Sequence, residues 1–153
     1  MARKIKTFFG QRFSLYDIVK YSVNCPTNTG KTEIHSYGNG PFCKFDCPSA
    51  IKDKRGLYVF VIDGKVKYLG RCLTTYKQRI QQGYGRISPD NCSKVGGQPT
   101  NCHVNIELNK AFASGKKVQI GILPMESKER IPEMERQMIS KMRQQNPFWN
   151  LQY

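Results

Sequence analysis

The chain divides into segments by the period of its apolar positions. FSLYDIVKYSV, beginning at Phe13, sets Leu15, Ile18, Val19 and Val23 at helical spacing, with Ser14 placed to cap. From residue 24 to 53 no period holds. Gly, Pro, Asn, Ser and Cys dominate there, and such a long structureless stretch is uncommon inside a domain unless it is functional or stapled. Alternation returns at Gly56: Leu57, Val59 and Val61 share one face of a strand, and Tyr58, Phe60 and Ile62 share the other. Both faces are apolar, which predicts a central strand. Asp63-Gly64 is a turn signal, and residues 65 to 69 form the return strand. Thr74 or Thr75 caps a short helix through Tyr76, Ile80 and Gln82, and residues 83 to 100, rich in Gly, Pro and Asn, read as a mobile loop. Residues 101 to 114 predict a helix with Ile106, Leu108, Ala111 and Phe112 mostly inward and Gly115 as its stop. Val118, Ile120 and Ile122 alternate as a third strand, Pro132 opens a last helix running to Gln145, and NPFWNLQY is an extended tail.

This order predicts an α/β (α+β) fold, with three short strands in a small mixed sheet and helices around it. The 153 residues suit one domain, spanning 1–153 without internal repeat, and a domain of that size buries roughly 70% of its unfolded surface. No apolar run approaches the roughly 18 residues of a membrane span. The start, MARKIKTFFGQRF, has no long apolar core and no small-residue cleavage site. The expectation is a cytoplasmic protein with no membrane partner.

The last helix carries a misplaced charge. Ile131, Met134, Met138, Ile139 and Met142 form an apolar stripe, and Glu135 lies inside it, whereas Glu133 shares its face with Gln137, Ser140 and Lys141. A carboxylate facing the core is costly unless it is paired or bound to metal. Both a structural salt bridge and a metal site satisfy the pattern.

Charge narrows the partner. Lys and Arg total 25 against 11 acids, a formal +14, which favours a polyanion such as nucleic acid over a membrane surface. The cysteines Cys25, Cys43, Cys47, Cys72, Cys92 and Cys102 favour thiols or metal over disulfides in a reducing compartment.

Gly56-Leu57-Tyr58, nine intervening residues and Tyr68-Leu69-Gly70 resemble the signature of the GIY-YIG nuclease superfamily, whose members include small phage and restriction enzymes. The resemblance continues in an arginine on the next helix (Arg79), a glutamate on a later helix (Glu135) and an asparagine beyond it (Asn150 in NPFWN), and it covers about residues 55 to 152. Cys102-His103 before a helix is similar to intron-homing members. Leu57 and Leu69 replace the usual isoleucines, Arg71 stands where several members carry a lysine, and the spacing departs in two further places. Arg79 lies one residue further from Gly70 than in related nucleases, and the place four after it, often His or Tyr, is Gly83, with Tyr84 following. The resemblance implies a nuclease core at 55–152, an N-terminal extension at 1–54, and metal-dependent hydrolysis of phosphodiester bonds in double-stranded DNA. Glu135 would hold one Mg²⁺ or Mn²⁺. Arg79 would offer its fork to the phosphate. Tyr58 would relay the proton of the attacking water, with positive charge from Arg71, Lys67 or the metal favouring its ionised form. Tyr68 would orient water or phosphate, Asn150 would brace the site, and His103 would touch phosphate or assist as a base. Arg71, Lys77, Tyr84, Arg86 and Lys94 are candidate DNA contacts. Double-strand cleavage by a one-site enzyme implies a homodimer or higher oligomer on DNA, or successive nicks.

Two expectations follow from spacing. A shared tyrosine site requires either a three-residue loop pairing Tyr58 with Tyr68 or a compensating bulge, because a plain two-residue loop sends them to opposite faces. In the extension, Cys25, His35, Cys43 and Cys47 could hold a structural zinc, with free thiols the favoured alternative. That segment and the 83–100 loop are candidate DNA readers, so trimming residues 1 to 24 would change cleavage more than folding. A repair or junction nuclease and a non-catalytic basic binding module are the rival functions.

Overall fold

In the computed structural model, which describes residues 4–24, 33–144 and 148–150, the elements are β1 (Lys4–Phe8), β2 (Gln11–Asp17), β3 (Lys20–Asn24), β4 (Phe42–Phe45), β5 (Gly56–Ile62), β6 (Lys65–Cys72), a π-helix (Lys77–Tyr84), α1 (Pro89–Cys92), α2 (Pro99–Ala113), β7 (Val118–Pro124) and α3 (Ile131–Met142). One five-stranded sheet runs in the order β1-β2-β7-β5-β6, and β3 pairs with β4 in a separate ribbon. Every neighbouring pair is antiparallel. The α+β class is as expected, but the sheet is neither three-stranded nor mixed.

The difference lies in the N-terminal segment, which forms strands instead of the expected helix. Phe13 and Leu15 are buried at period two, while Val19 and Val23, assigned inward by the helical pattern, are exposed. β-branched and aromatic residues fit a pleated surface better than a helix. Because β2 pairs with β7, the first 54 residues are not an appendage. Trimming residues 1 to 24 would remove two strands of the main sheet, and the expected consequence shifts from cleavage pattern to folding.

β5 is buried along its whole length between β7 and β6. Its two faces feed separate cores. Tyr58, Phe60 and Ile62 pack with Tyr68, Tyr76, Ile80, Tyr84, Phe45 and Leu108, on the side of the π-helix, α2 and β4. Leu57, Val59 and Val61 pack with Phe13, Leu15, Ile131, Met138, Ile139 and Met142, on the side of α3. At the turn, Asp63 and Gly64 both have positive φ, 48° and 81°, the geometry of a two-residue loop that follows strand twist. Ile62 pairs with Lys65 and Val61 with Val66, but Phe60 pairs with Tyr68. Lys67 is therefore a bulge, and it returns Tyr68 to the face of Tyr58 and Phe60. The compensating bulge, not the three-residue loop, is the device used.

β6 would be an open edge, but the C-terminal segment covers it. Trp149 N–H donates to Lys67 O at 2.6 Å, and the Asn150 side chain pairs with both backbone groups of Leu69. Phe148 packs on the α3-side core and Trp149 on the other, so the segment straddles the edge. The 83–100 stretch holds α1 and a network around Asn91 and Gln98. No helix among the described residues is long and apolar enough to cross a membrane.

Candidate active site

Tyr58 on β5, Tyr68 on β6, and Arg79 and Tyr84 on the π-helix converge on one hydrogen-bonded cluster. The Tyr58 and Tyr84 hydroxyls lie 2.7 Å apart, and Tyr84 donates to Tyr68 at 3.2 Å. Arg79 Nε donates to Tyr58 Oη at 3.1 Å and its Nη2 to Tyr84 Oη at 3.0 Å. Its guanidinium carbon also lies 4.9 Å from the Tyr84 ring centroid. A hydroxyl has one proton to give. With Tyr84 donating to Tyr68, Tyr58 donates to Tyr84, and the chain of hydroxyls runs outward with the Tyr68 proton left at its end. Exposure follows the same order: 0% for Tyr58 and Tyr84, 6% for Tyr68.

The π-helix explains the departures in spacing. In an α-helix the residue sharing Arg79's face would be Gly83, four on. Here Gly85 N–H bonds to Ile80 O in the wider i→i+5 pattern, and Tyr84, five on, meets Arg79 instead. Tyr84, assigned to DNA contact by the sequence, is the buried hub of the cluster; its position one residue past the expected place was the available signal. Gly70 completes the floor, since a Cβ there would overlap the Tyr58 hydroxyl.

Glu135 is buried on α3, and Glu133 is exposed and paired with Arg136 at 2.7 Å, as the stripe predicts. Arg71 Nη1 lies 3.8 Å from Glu135 Oε1, a long contact from a guanidinium that is itself 43% exposed. Burial raises the Glu135 carboxyl above its ordinary range, and Arg71 and then Arg79 offset part of that rise. Burial likewise raises the Tyr58, Tyr68 and Tyr84 phenols. The Glu135 charge adds to the rise at Tyr68. The cation facing Tyr58 is Arg79, not the expected Arg71 or Lys67.

Asn150 braces Leu69 of β6, with Nδ2 donating to Leu69 O at 2.9 Å and Oδ1 accepting Leu69 N–H at 3.3 Å. His103 lies apart. Its ring stacks on Tyr37 with centroids 4.5 Å apart, and the face of α2 turned to the π-helix carries Asn105 instead. Burial lowers the His103 imidazole below its ordinary value. Of the candidate DNA contacts, Arg71 and Lys77 are exposed. Arg86 is engaged by the Phe45 and Gly85 carbonyls and Asp46, and Lys94 pairs with Glu33 at 3.4 Å.

For the zinc set, Cys25 lies outside the described residues. His35 Nε2 lies 2.7 Å from Asn91 O, and its Nδ1 accepts Tyr37 N–H at 3.1 Å. Burial pushes the Cys47 thiol up to about 12, with Cys72 and Asp46 adding to it. Among the described residues no group of three or more His, Cys, Asp or Glu is placed to hold a metal ion.

No protein-family model matches the chain, and neither curated proteins nor solved structures give a significant match.

Proposed function

We propose that the protein is a metal-dependent endonuclease that hydrolyses phosphodiester bonds in double-stranded DNA, in the manner of GIY-YIG nucleases of the restriction or phage host-DNA-degrading kind. One observation carries the proposal: three phenols and a guanidinium drawn from β5, β6 and the π-helix meet in a single hydrogen-bonded cluster. A sheet needs no such cluster for packing alone.

Glu135 fits a hard divalent ion. It offers carboxylate oxygens that burial makes costly to charge and that Arg71 holds only at 3.8 Å, and Mg²⁺ or Mn²⁺ accepts one or two carboxylates with water and phosphate oxygens completing the shell. Such an ion supplies charge stabilisation at phosphorus and a more acidic bound water. The chain's own residues do the rest. Arg79 spends an Nε and an Nη2 donor on the Tyr58 and Tyr84 phenols, and its remaining N–H groups would serve a phosphate oxygen. Tyr68 presents its proton to the phosphate or the water, and Tyr58 and Tyr84 stand behind it as a relay. Asn150 and Gly70 keep β6 and Tyr58 in register. Water oxygen bonds to phosphorus, a P–O bond breaks, the water's proton leaves to solvent, and the departing oxygen takes one from solvent.

Incubating the protein with supercoiled plasmid and linear phage DNA, with and without Mg²⁺ and with a Glu135→Ala control, tests this. Metal-dependent nicks or bands that the control lacks, with DNA binding retained, are expected. The +14 charge favours a second reading, a non-catalytic nucleic-acid-binding module. Salt-sensitive binding without cleavage would select it.

A further inference from the structure

Three asparagines at four-residue spacing, Asn101, Asn105 and Asn109, form a buried stripe along α2. Asparagine is a weak helix former, and a buried amide is costly unless its donors and acceptor are used. Here Asn105 and Asn109 use theirs to hold other segments, while Asn101 braces the start of α2. Asn101 Nδ2 donates to Gln98 Oε1 at 2.7 Å, and Asn109 Nδ2 to Pro41 O at 3.4 Å. Asn105, fully buried, does most: its Oδ1 accepts Cys43 N–H at 2.8 Å, and its Nδ2 donates to Cys43 O at 2.8 Å and to Tyr84 O at 2.6 Å. It engages both backbone groups of a β4 residue, as a neighbouring strand would, and ties them to the last residue of the π-helix.

The same joint is locked from other sides. Gly85 lies so close to the Phe45 carbonyl that a Cβ would overlap it. Gln81 Oε1 accepts Cys47 N–H at 3.1 Å, and Arg86 donates to Phe45 O at 2.8 Å. The i→i+5 pattern is rare and persists where surroundings impose it.

We propose that Asn105 is a positioning residue for the active site: by fixing the Tyr84 main chain against β4 it maintains the π-turn that brings the Tyr84 hydroxyl to Tyr58, Tyr68 and Arg79. β4, which lies outside the segment resembling nucleases, is then a wall of the site. The activity arm of the test rests on the endonuclease reading, and the spectroscopic arm does not.

Asn105→Asp keeps the side-chain shape and an acceptor but removes both Nδ2 donations, and Gly85→Ala strikes the same joint without altering α2. The full chain is labelled with ¹³Cζ-tyrosine, the Tyr84 resonance is assigned through Tyr84→Phe, and folding is checked by circular dichroism. In both variants the Tyr84 resonance is expected to move. With plasmid as substrate, kcat is expected to fall about 100-fold while KM changes less than about two-fold, the signature of misplacement rather than lost binding. If Asn105→Asp does not fold, Asn105→Ser, which keeps one hydroxyl donor, replaces it. A folded variant whose Tyr84 resonance stays in place overturns the proposal, whether or not activity falls. A moved resonance in a protein whose wild type cuts no DNA upholds the positioning role and removes the nuclease reading.

Discussion

Tyr84→Phe removes one oxygen that takes part in three hydrogen bonds: 2.7 Å to Tyr58, 3.2 Å to Tyr68 and 3.0 Å from Arg79. The ring is retained, so packing against Phe60, with centroids 5.4 Å apart, changes little. The losses are unequal. Arg79 keeps Tyr58 through Nε, and Tyr68 loses an incoming donor while keeping its own proton, but Tyr58 is left as a buried donor without its acceptor. A buried donor left unpaired costs about 1–3 kcal/mol, and a neutral hydrogen bond about 1 kcal/mol net. Because the partly exposed Arg79 can take water in place of the lost acceptor, the sum of the other two losses is about 2–4 kcal/mol, within the roughly 5–15 kcal/mol of a typical domain, so the variant folds. Its Tm should drop by roughly 5–15 °C, and its urea midpoint should fall at unchanged m-value. Plasmid nicking should fall by about 100-fold, the scale of a lost proton-transfer partner. Stability within about 0.5 kcal/mol of wild type, a change typical of a neutral surface substitution, would show that the hydroxyl chain is not formed in solution. A clear loss of stability with undiminished nicking would make the chain a structural strut.

Three further outcomes are expected. Burial raises the Glu135 carboxyl, so the folded chain holds that proton more tightly than the unfolded one, and stability falls as pH rises from the ordinary glutamate range through the higher folded value; Glu135→Gln should remove this slope and be more stable than wild type at neutral pH while cutting no DNA, and urea melts at several pH values showing equal or lower stability would mean that Arg71 outweighs desolvation. Lys77→Ala should reduce the slope of log affinity against log salt by about 1, whereas Arg86→Ala should instead lower Tm, because its guanidinium holds Phe45, Gly85 and Asp46; the reverse pattern would move the DNA footprint. Gly70→Ala should destabilise by about 1–3 kcal/mol as the new methyl displaces the Tyr58 hydroxyl, and an unchanged thermal melt would refute that close approach.

The parts of the fold that the sequence exposed were those where one period was unopposed. β5 reads apolar on both faces because a separate core packs on each, and the α3 stripe reads at helical spacing because only one face meets the sheet. The N-terminal strands misled because Leu15, Ile18, Val19 and Val23 satisfy a helical template, while the deciding alternation, Phe13 and Leu15, is short and shares its run with Tyr16 and Ile18. Register had the same character. Asp63-Gly64 announces the turn, but the bulge at Lys67 is set by tertiary contacts, among them the Trp149 N–H on the Lys67 carbonyl, and no local residue type signals it. The Asn101, Asn105 and Asn109 spacing is visible in the sequence, but only the backbone of Cys43 on β4 and of Pro41 just before it shows why amides are needed.

The electrostatics of the cluster bear on what it was built to meet. Arg79 is only partly exposed and donates to neutral phenols, and among the described residues it forms no ion pair. Glu135, the buried acid of α3, is itself pushed towards its neutral form by burial. An arginine held this way keeps its charge because guanidinium does not lose its proton in proteins, so the site carries a standing positive charge with proton donors around it. Such an arrangement is costly when empty and improves when an anion enters, since the anion gains preorganised donors and the guanidinium gains a counter-charge in a setting of low dielectric. A phosphodiester, the substrate we propose, has the required charge and acceptors, and the Tyr68 proton and the remaining Arg79 N–H groups would be its donors. The raised phenols fit the same account: they act first as donors, and under the endonuclease proposal Tyr58 would serve as a base only where positive charge added at Glu135 offset the burial that now holds its proton.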